Sequence, residues 1–161
     1  MLGWVLGSVL ATSLLSGFLG MGGGMILMGI FTLLLPVTQA MVLHGLAQLS
    51  ANGSRALIHF RGIGWRILPA YLGGALVSLG LFALIAFKTE KWIIYLMLGT
   101  FPFVAMRLRT WLELSIDNKL HAAFCGLIVT ALQLAAGVSG PVLDVFYLNT
   151  KMNRHQIVAS K

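Results

Sequence analysis

Long apolar stretches separated by short polar ones dominate the chain. Apolar segments occupy 2–35, 38–60, 65–87 and 92–108, and a last one occupies 120–148. None of them alternates polar and apolar residues with the period of two that half-buried strands show, so we expect helices throughout. The predicted fold class is therefore all-α: a polytopic integral membrane helical bundle.

The first part of the chain is unusually free of charge. No charged side chain precedes Arg55. A single helix over residues 1–54 would be roughly 81 Å long, whereas the hydrocarbon core of a bilayer is about 30 Å thick. The chain must therefore turn within this run and cross the membrane more than once. The most polar stretch, 109–119, is the best candidate for an exposed connection.

Glycines interrupt two of the apolar segments. Four glycines form the first interruption: Gly20, Gly22, Gly23 and Gly24. The second interruption is "GVSGP" at 137–141. Glycine costs about 1 kcal/mol relative to alanine in a helix interior, so both places predict broken or re-entrant helices. Pro141 strengthens the second prediction, because proline suits the first turn of the helix that follows a break.

The two interruptions also predict an internal repeat. Gly20 is followed 117 residues later by Gly137, and the same offset places Gly23 on Gly140. Each interruption is followed by a short polar turn and a new helix start. We therefore expect a first transmembrane repeat at 1–117 and the start of a second at 118–161. At this offset the last residue falls on His44, so the second repeat is expected to be truncated.

One helix predicted between residues 44 and 59 carries a polar stripe. At about 100° per residue, five polar side chains fall within a sector of about 80°: His44, Gln48, Asn52, Arg55 and His59. Polar side chains inside a membrane face the bundle interior or a wet cavity and are candidates for a binding site. The alternative is a set of structural hydrogen bonds between helices, with Arg55 and His59 at the water interface.

The chemistry of the stripe and of the breaks favours an anion. A guanidinium can hold an oxyanion in bidentate fashion, and a half-helix that starts at a glycine break directs free N–H groups at a ligand. Close helix packing at the Gly20-xxx-Gly24 pattern is the alternative for the glycines. Asp144 is the only acid outside the polar connections. It is a candidate for proton coupling, or else a partner that neutralises Arg55 or His44.

Composition agrees with a membrane protein and excludes several other classes. The chain of 161 residues is 58% apolar and only 9% charged, against roughly 25% charged residues in soluble domains. Its net charge of +7 comes from basic residues in short connections, which is typical of orientation in a membrane and not of nucleic-acid binding. The single Cys125 excludes an intrachain disulfide. Without an H-E-x-x-H motif, clustered acids or a nucleophile–base pair, we expect no enzyme, cofactor or metal.

Three stretches together resemble a known family. They are "SGFLGMGGGMILM", "HGLAQLSANGSRALIHFRGIGW" and "LPAYLGGALVSLG". In this order they are similar to the first half of the TauE/SafE family of sulfite-exporter-like permeases, and "AGVSGPVLDVFYL" looks like the start of that family's second half. The resemblance implies a carrier of sulfite, sulfonates or related organic anions in the bacterial inner membrane.

The resemblance also implies which residues line the substrate site. They are the glycine-containing segments near the junction of the two halves, here Gly20, Gly22, Gly23, Gly24, Gly137, Ser139, Gly140 and Pro141. With the polar stripe, the expected substrate-binding set adds His44, Gln48, Asn52 and Arg55. The expected partners are a small anion and the lipid bilayer. If the chain ends at Lys161, the protein is expected either to pair with another copy, as a homodimer, or to be inactive.

Two hypotheses therefore remain after sequence analysis. The first is a secondary carrier in which an anion lies between the two breaks and Arg55. The second is a non-transporting subunit for membrane assembly or anchoring, in which neighbouring helices satisfy the polar stripe and no wet cavity exists. If the first segment crosses once, Lys151 and Arg154 are expected on the side of Lys88 and Lys91.

Overall fold

The computed structural model of the protein describes residues 7, 23–85, 88–111 and 113–161. Within these ranges the chain is all-helical, which confirms the all-α part of the predicted fold class. Seven α-helices follow one another there: α1 (Gly23–Leu34), α2 (Val37–Ile58), α3 (Leu68–Ile85), α4 (Lys91–Trp111), α5 (Lys119–Ala136), α6 (Gly140–Tyr147) and α7 (Arg154–Ser160). A 3₁₀ turn at Phe60–Gly62 follows α2.

Three of the described helices are long and apolar enough to cross a membrane, namely α3, α4 and α5. Helix α2 has the length of a span but is not among these three, because its polar stripe lowers its hydropathy. Helix α4 continues from Lys91 to Trp111 with Pro102 inside it. The outer faces of α3 and α4 leave large apolar side chains exposed, among them Leu84 and Phe103, as lipid-facing helices do.

The first two described helices form an antiparallel hairpin. Pro36 precedes α2, where a missing N–H costs nothing. Leu27 and Phe31 of α1, and Leu35 in the connection after it, pack against Ala40 near the start of α2, and all four are buried. The α1–α2 pair thereby brings the glycine end of α1 beside the middle of α2.

Helices α3 and α5 meet at two glycines. A Cβ atom on Gly74 would collide with the carbonyl oxygen of Ala123, and one on Gly126 would collide with the carbonyl oxygen of Tyr71. The two backbones therefore touch, as at small-residue contacts between membrane helices. Next to this contact lies the largest buried cluster, which contains Cys125 and Phe146.

The predicted break after α5 is present in the structure. Gly137 ends α5 in the left-handed conformation, with a φ of 67°, and its N–H donates to the Gln133 carbonyl oxygen at 2.9 Å. Helix α6 then begins at Gly140 with Pro141 in its first turn. Only glycine adopts this conformation without steric cost, so the break is encoded at Gly137.

The predicted repeat offset recurs in the helix starts. Helix α2 begins at Val37 and α7 begins at Arg154, which are 117 positions apart. The repeat itself, with its boundary at residue 117, stays a prediction.

A polar clamp joins the connection before α5 to the connection after α6. The Asp117 carboxylate accepts hydrogen bonds from the Thr150 hydroxyl at 2.9 Å and from the Lys151 backbone N–H at 2.8 Å. Ile116, which is fully buried, donates its N–H to the Phe146 carbonyl oxygen at 2.9 Å. The clamp therefore fixes the end of α6 beside the 113–118 connection.

Helix α7 packs against the 3₁₀ turn that follows α2. The Gly64 N–H donates to the Ser160 hydroxyl at 2.8 Å, and the Tyr147 hydroxyl donates to the Ser160 carbonyl oxygen at 3.0 Å. The rings of His59 and His155 lie 5.7 Å apart. Lys151 and Arg154 therefore lie at the same end as the connections at 59–67 and 113–118, and the expectation that they share a side with Lys88 and Lys91 is wrong. The reason is that α6, at eight residues, is too short to cross a bilayer.

Candidate functional site

A cavity of about 480 Å³ lies where the polar face of α2 meets the start of α1 and the α5–α6 break. Helix α2 contributes Gln48, Asn52 and Arg55 to its lining. Gly24 of α1 and Gly137 of the break lie in its wall. We call this space the central cavity.

The three α2 residues face the central cavity because they share one helical face, as the spacing predicts. All three are half-buried. The Arg55 guanidinium donates to the Asn52 side-chain oxygen at 3.5 Å, a long hydrogen bond along one turn of the helix. The cavity thus receives one permanent cation and two amide groups from α2.

Helix α5 and the break supply the facing polar groups. The Ser139 hydroxyl donates to the Gln133 side-chain oxygen at 2.7 Å. This bond leaves the Gln133 amide N–H groups as donors beside the cavity, which Thr130 and Tyr71 also line. No sequence pattern marks Tyr71, Thr130 or Gln133 as a site residue. Each is an isolated polar residue in an apolar span, so only its position in the fold connects it to the stripe.

His44 lies one layer behind the central cavity and does not line it. Its side chain is 1% exposed. A Cβ atom placed on Gly24 would lie 3.6 Å from His44 Cε1, and one placed on Gly137 would lie 3.2 Å from His44 Cδ2. The imidazole is therefore held between the two glycine-containing segments. Neither ring nitrogen has a hydrogen bond of normal geometry to any described residue. The Gly137 backbone is the nearest hydrogen-bonding group to the ring, and the interaction between them is weak.

Asp144 lines the central cavity in an ion pair. Its carboxylate is bonded to the Lys161 ammonium, and the two side chains are 15% and 30% exposed. Lys161 also lines a second cavity of about 350 Å³ between α2, α3 and α7, which shares Asn52 and Tyr71 with the central cavity. Asp144 was expected either to couple protons or to neutralise Arg55 or His44. In the structure it neutralises a cation, but that cation is Lys161.

The remaining candidates occupy different places. Ser139 and Gly140 line the central cavity. Gly23 is buried without lining it, and Pro141 lies in the first turn of α6 outside the lining. Gly20 and Gly22 lie outside the described residues. Among the described residues, no three His, Cys, Asp or Glu side chains come together as metal ligands would.

Comparison of the chain with protein-family models, with curated proteins and with solved structures gives no match. The function is therefore inferred from the central cavity and from the chemistry of its wall.

Proposed function

We propose that the protein is a membrane carrier for a small anion such as sulfite, a sulfonate or a related organic anion. The central cavity is the observation that carries this proposal. Its volume of about 480 Å³ falls within the range of small-molecule sites, about 300–1,000 Å³. Its wall combines a glycine break with polar side chains, as substrate sites of secondary carriers do.

The charges around the central cavity favour a negatively charged ligand. Among the described lining residues, Arg55 and Lys161 are cationic and Asp144 is anionic, which leaves a formal excess of one positive charge. Gln48, Asn52 and Gln133 add amide donors. Arg55 can bind two oxygens of a sulfite or sulfonate group at once, and charge-assisted hydrogen bonds of this kind are about twice as strong as neutral ones.

The start of α6 adds to this preference. Gly140 lies in the cavity wall and is the first residue of α6. The N-terminus of a helix presents unpaired N–H groups and the positive end of its dipole, both of which favour an anion. The ligand is therefore expected between this helix start and Arg55.

The three apolar helices α3, α4 and α5 support a location in the membrane. We further propose the bacterial inner membrane and membership of the TauE/SafE family, on the resemblance of the glycine and stripe motifs. In that arrangement the two repeats would move against each other around the cavity, as in other carriers with duplicated broken helices.

The cavity also bears on the second hypothesis, a non-transporting anchoring subunit. That role needs a polar stripe satisfied by neighbouring helices, with no space beside it. Gln48, Asn52 and Arg55 instead border a cavity. This difference favours the carrier.

Flux measurements test the proposal. The protein is reconstituted into liposomes, and uptake of radiolabelled sulfite is compared with that of protein-free liposomes. We expect uptake by the unaltered protein and a loss of at least tenfold in Arg55→Ala, since a charge-assisted contact contributes about 1.5–3 kcal/mol. Arg61→Ala is the matched control, because Arg61 is exposed in the 3₁₀ turn.

The outcomes separate the parts of the proposal. Equal flux in Arg55→Ala and the unaltered protein would remove Arg55 from the site. Neither uptake nor binding of sulfite, methanesulfonate or taurine by the unaltered protein would overturn the carrier function itself.

A further inference from the structure

His44 occupies a position that the binding of an anion does not by itself explain. It is the only described histidine that is fully buried. It lies where Gly24 and Gly137 approach each other, and both glycines also line the central cavity. At these two positions the cavity wall has no side chain of its own, and the Gln48 amide packs directly against Gly24, so two glycine backbones and this one amide separate the imidazole from the ligand space.

The surroundings of His44 hold no fixed counter-charge among the described residues. Helix α1 has no titratable side chain between Gly23 and Leu34 and presents Gly24 and Met28 to this region. The break presents Gly137. On α2 itself the nearest cation is Arg55, three turns away, and His59 lies a turn further. On the other side of the cavity, the titratable residues in the described lining are Tyr71, Asp144 and Lys161, and the last two form an ion pair.

A proton on this imidazole is therefore unfavourable while the central cavity lacks an anion. A buried charge needs a partner of opposite sign, and the described residues supply none there. An anion in the central cavity would provide that partner through the thin glycine wall. By linkage, a proton that strengthens anion binding must itself be bound more tightly when the anion is present.

We propose that His44 is the proton-coupling residue and that the anion and one proton are carried together. The inference rests on the proposed carrier function and adds its coupling ion. One ring nitrogen accepts H⁺ from water on the side where the anion enters. The new N–H bond breaks on the other side, and the proton returns to water with the anion. Asp144 is less suited to this role, because Lys161 already neutralises it.

Calorimetry on the purified protein in detergent tests the coupling. Methanesulfonate is the probe, because it stays a monoanion across the neutral pH range. Titrations in buffers of different ionisation enthalpy give the number of protons taken up per anion. At pH values between the pKa of His44 without the anion and its pKa with the anion bound, we expect about one proton taken up per anion and an affinity that falls about tenfold per pH unit. In His44→Gln, proton uptake is lost and the affinity no longer depends on pH.

His59→Gln is the matched control, since His59 lies on the same face but at the end of α2. It keeps the proton uptake of the unaltered protein. If His44→Gln does not fold, His59→Gln, His121→Gln and His155→Gln are combined so that His44 is the only histidine left. Its ring protonation is then followed by ¹⁵N NMR with and without methanesulfonate, and protonation on addition of the anion is expected.

The results distinguish the two proposals. Methanesulfonate binding without proton uptake, or with the same uptake in His44→Gln, overturns the role of His44 and leaves the carrier standing. If ¹⁵N NMR shows that methanesulfonate does not change the protonation of the His44 ring, the role of His44 is likewise overturned and the carrier function stands. Failure of the unaltered protein to bind or carry any of the tested anions overturns the carrier and this inference with it.

Discussion

Gly137 combines three constraints in one residue. It ends α5 in the left-handed conformation, it lies in the wall of the central cavity, and it lies against His44 and Met28. An alanine there would carry a Cβ atom 3.1 Å from Met28 Sδ and 3.2 Å from His44 Cδ2. The residue therefore joins the geometry of the break to the placement of the imidazole.

We expect Gly137→Ala to lower the free energy of unfolding by about 1–2 kcal/mol, because an L-residue in the left-handed region costs that much. Crowding at Met28 and His44 adds to the loss. Denaturant unfolding in detergent micelles, followed by tryptophan fluorescence, measures it. Gly140→Ala is the control, since a Cβ atom on Gly140 meets nothing within 4 Å. Equal stability of the two variants would contradict the strain assigned to Gly137.

At the scale of single residues, the sequence predicts the place of a side chain where a helical period exists. Gln48, Asn52 and Arg55 were predicted on one face, and they border the central cavity together. His44 shares their face by angle, yet Gly24 and Gly137 cover it, because its depth depends on neighbours that α2 does not specify. Thr130 and Gln133 follow no polar period on α5, so no local pattern predicts their place in the wall.

Helices α3 and α5 hold together through a contact that only glycine permits. We expect Gly74→Ala to destabilise the protein by about 3 kcal/mol, because a Cβ atom meets the Ala123 carbonyl oxygen, and backbone cannot move aside as a side chain can. Thermal unfolding by circular dichroism measures the shift. Gly73→Ala is the control: a Cβ atom there meets nothing within 4 Å, and the gain in helix propensity is expected to leave stability unchanged or slightly raised.

The Asp117 clamp makes a prediction about the α6–α7 connection. Asp117→Ala removes the acceptor of the Thr150 hydroxyl and of the Lys151 N–H. Residues 148–153 are then expected to exchange amide hydrogens faster, at least severalfold, in hydrogen–deuterium exchange. Glu113→Ala, an exposed acid in the same connection, leaves exchange unchanged. Unaltered protection in Asp117→Ala would mean that the clamp does not restrain the connection.

Element boundaries followed from the sequence more closely than element partners did. The expected segment at 38–60 is α2 at Val37–Ile58, and the expected break at 137–141 separates α5 from α6. The pairing of α3 with α5 was not predicted. Glycine on a helix permits a close approach but does not specify which helix approaches.

Across the whole molecule, the clamp and the docking of α7 gather positive charge at one end. This end carries the basic residues of the connections at 59–67 and 148–153, of the adjoining ends of α4 and α5, and of α7: Arg61, Arg66, Arg107, Arg109, Lys119, Lys151 and Arg154. The opposite end has Lys88 and Lys91. Cytoplasmic loops carry an excess of Lys and Arg, so the richer end is expected in the cytoplasm.

Labelling with a membrane-impermeant maleimide checks this orientation in intact cells. We expect Lys88→Cys to react from outside, and Arg61→Cys to react only after the membrane is permeabilised. The unaltered chain is the blank, because its single Cys125 is fully buried. Reaction of both variants from the same side would contradict the arrangement of α3 as a complete span.

The contact between α3 and α5 also bears on how the protein is made. Helix α4 lies between them in the chain, so α3 enters the membrane before its partner has been synthesised. At about 5–20 residues per second this interval lasts several seconds. Throughout it the groove at Gly74 has no helix to fill it. The nascent chain is then most open to pairing with a foreign helix, and the speed of translation through α4 sets how long that exposure lasts.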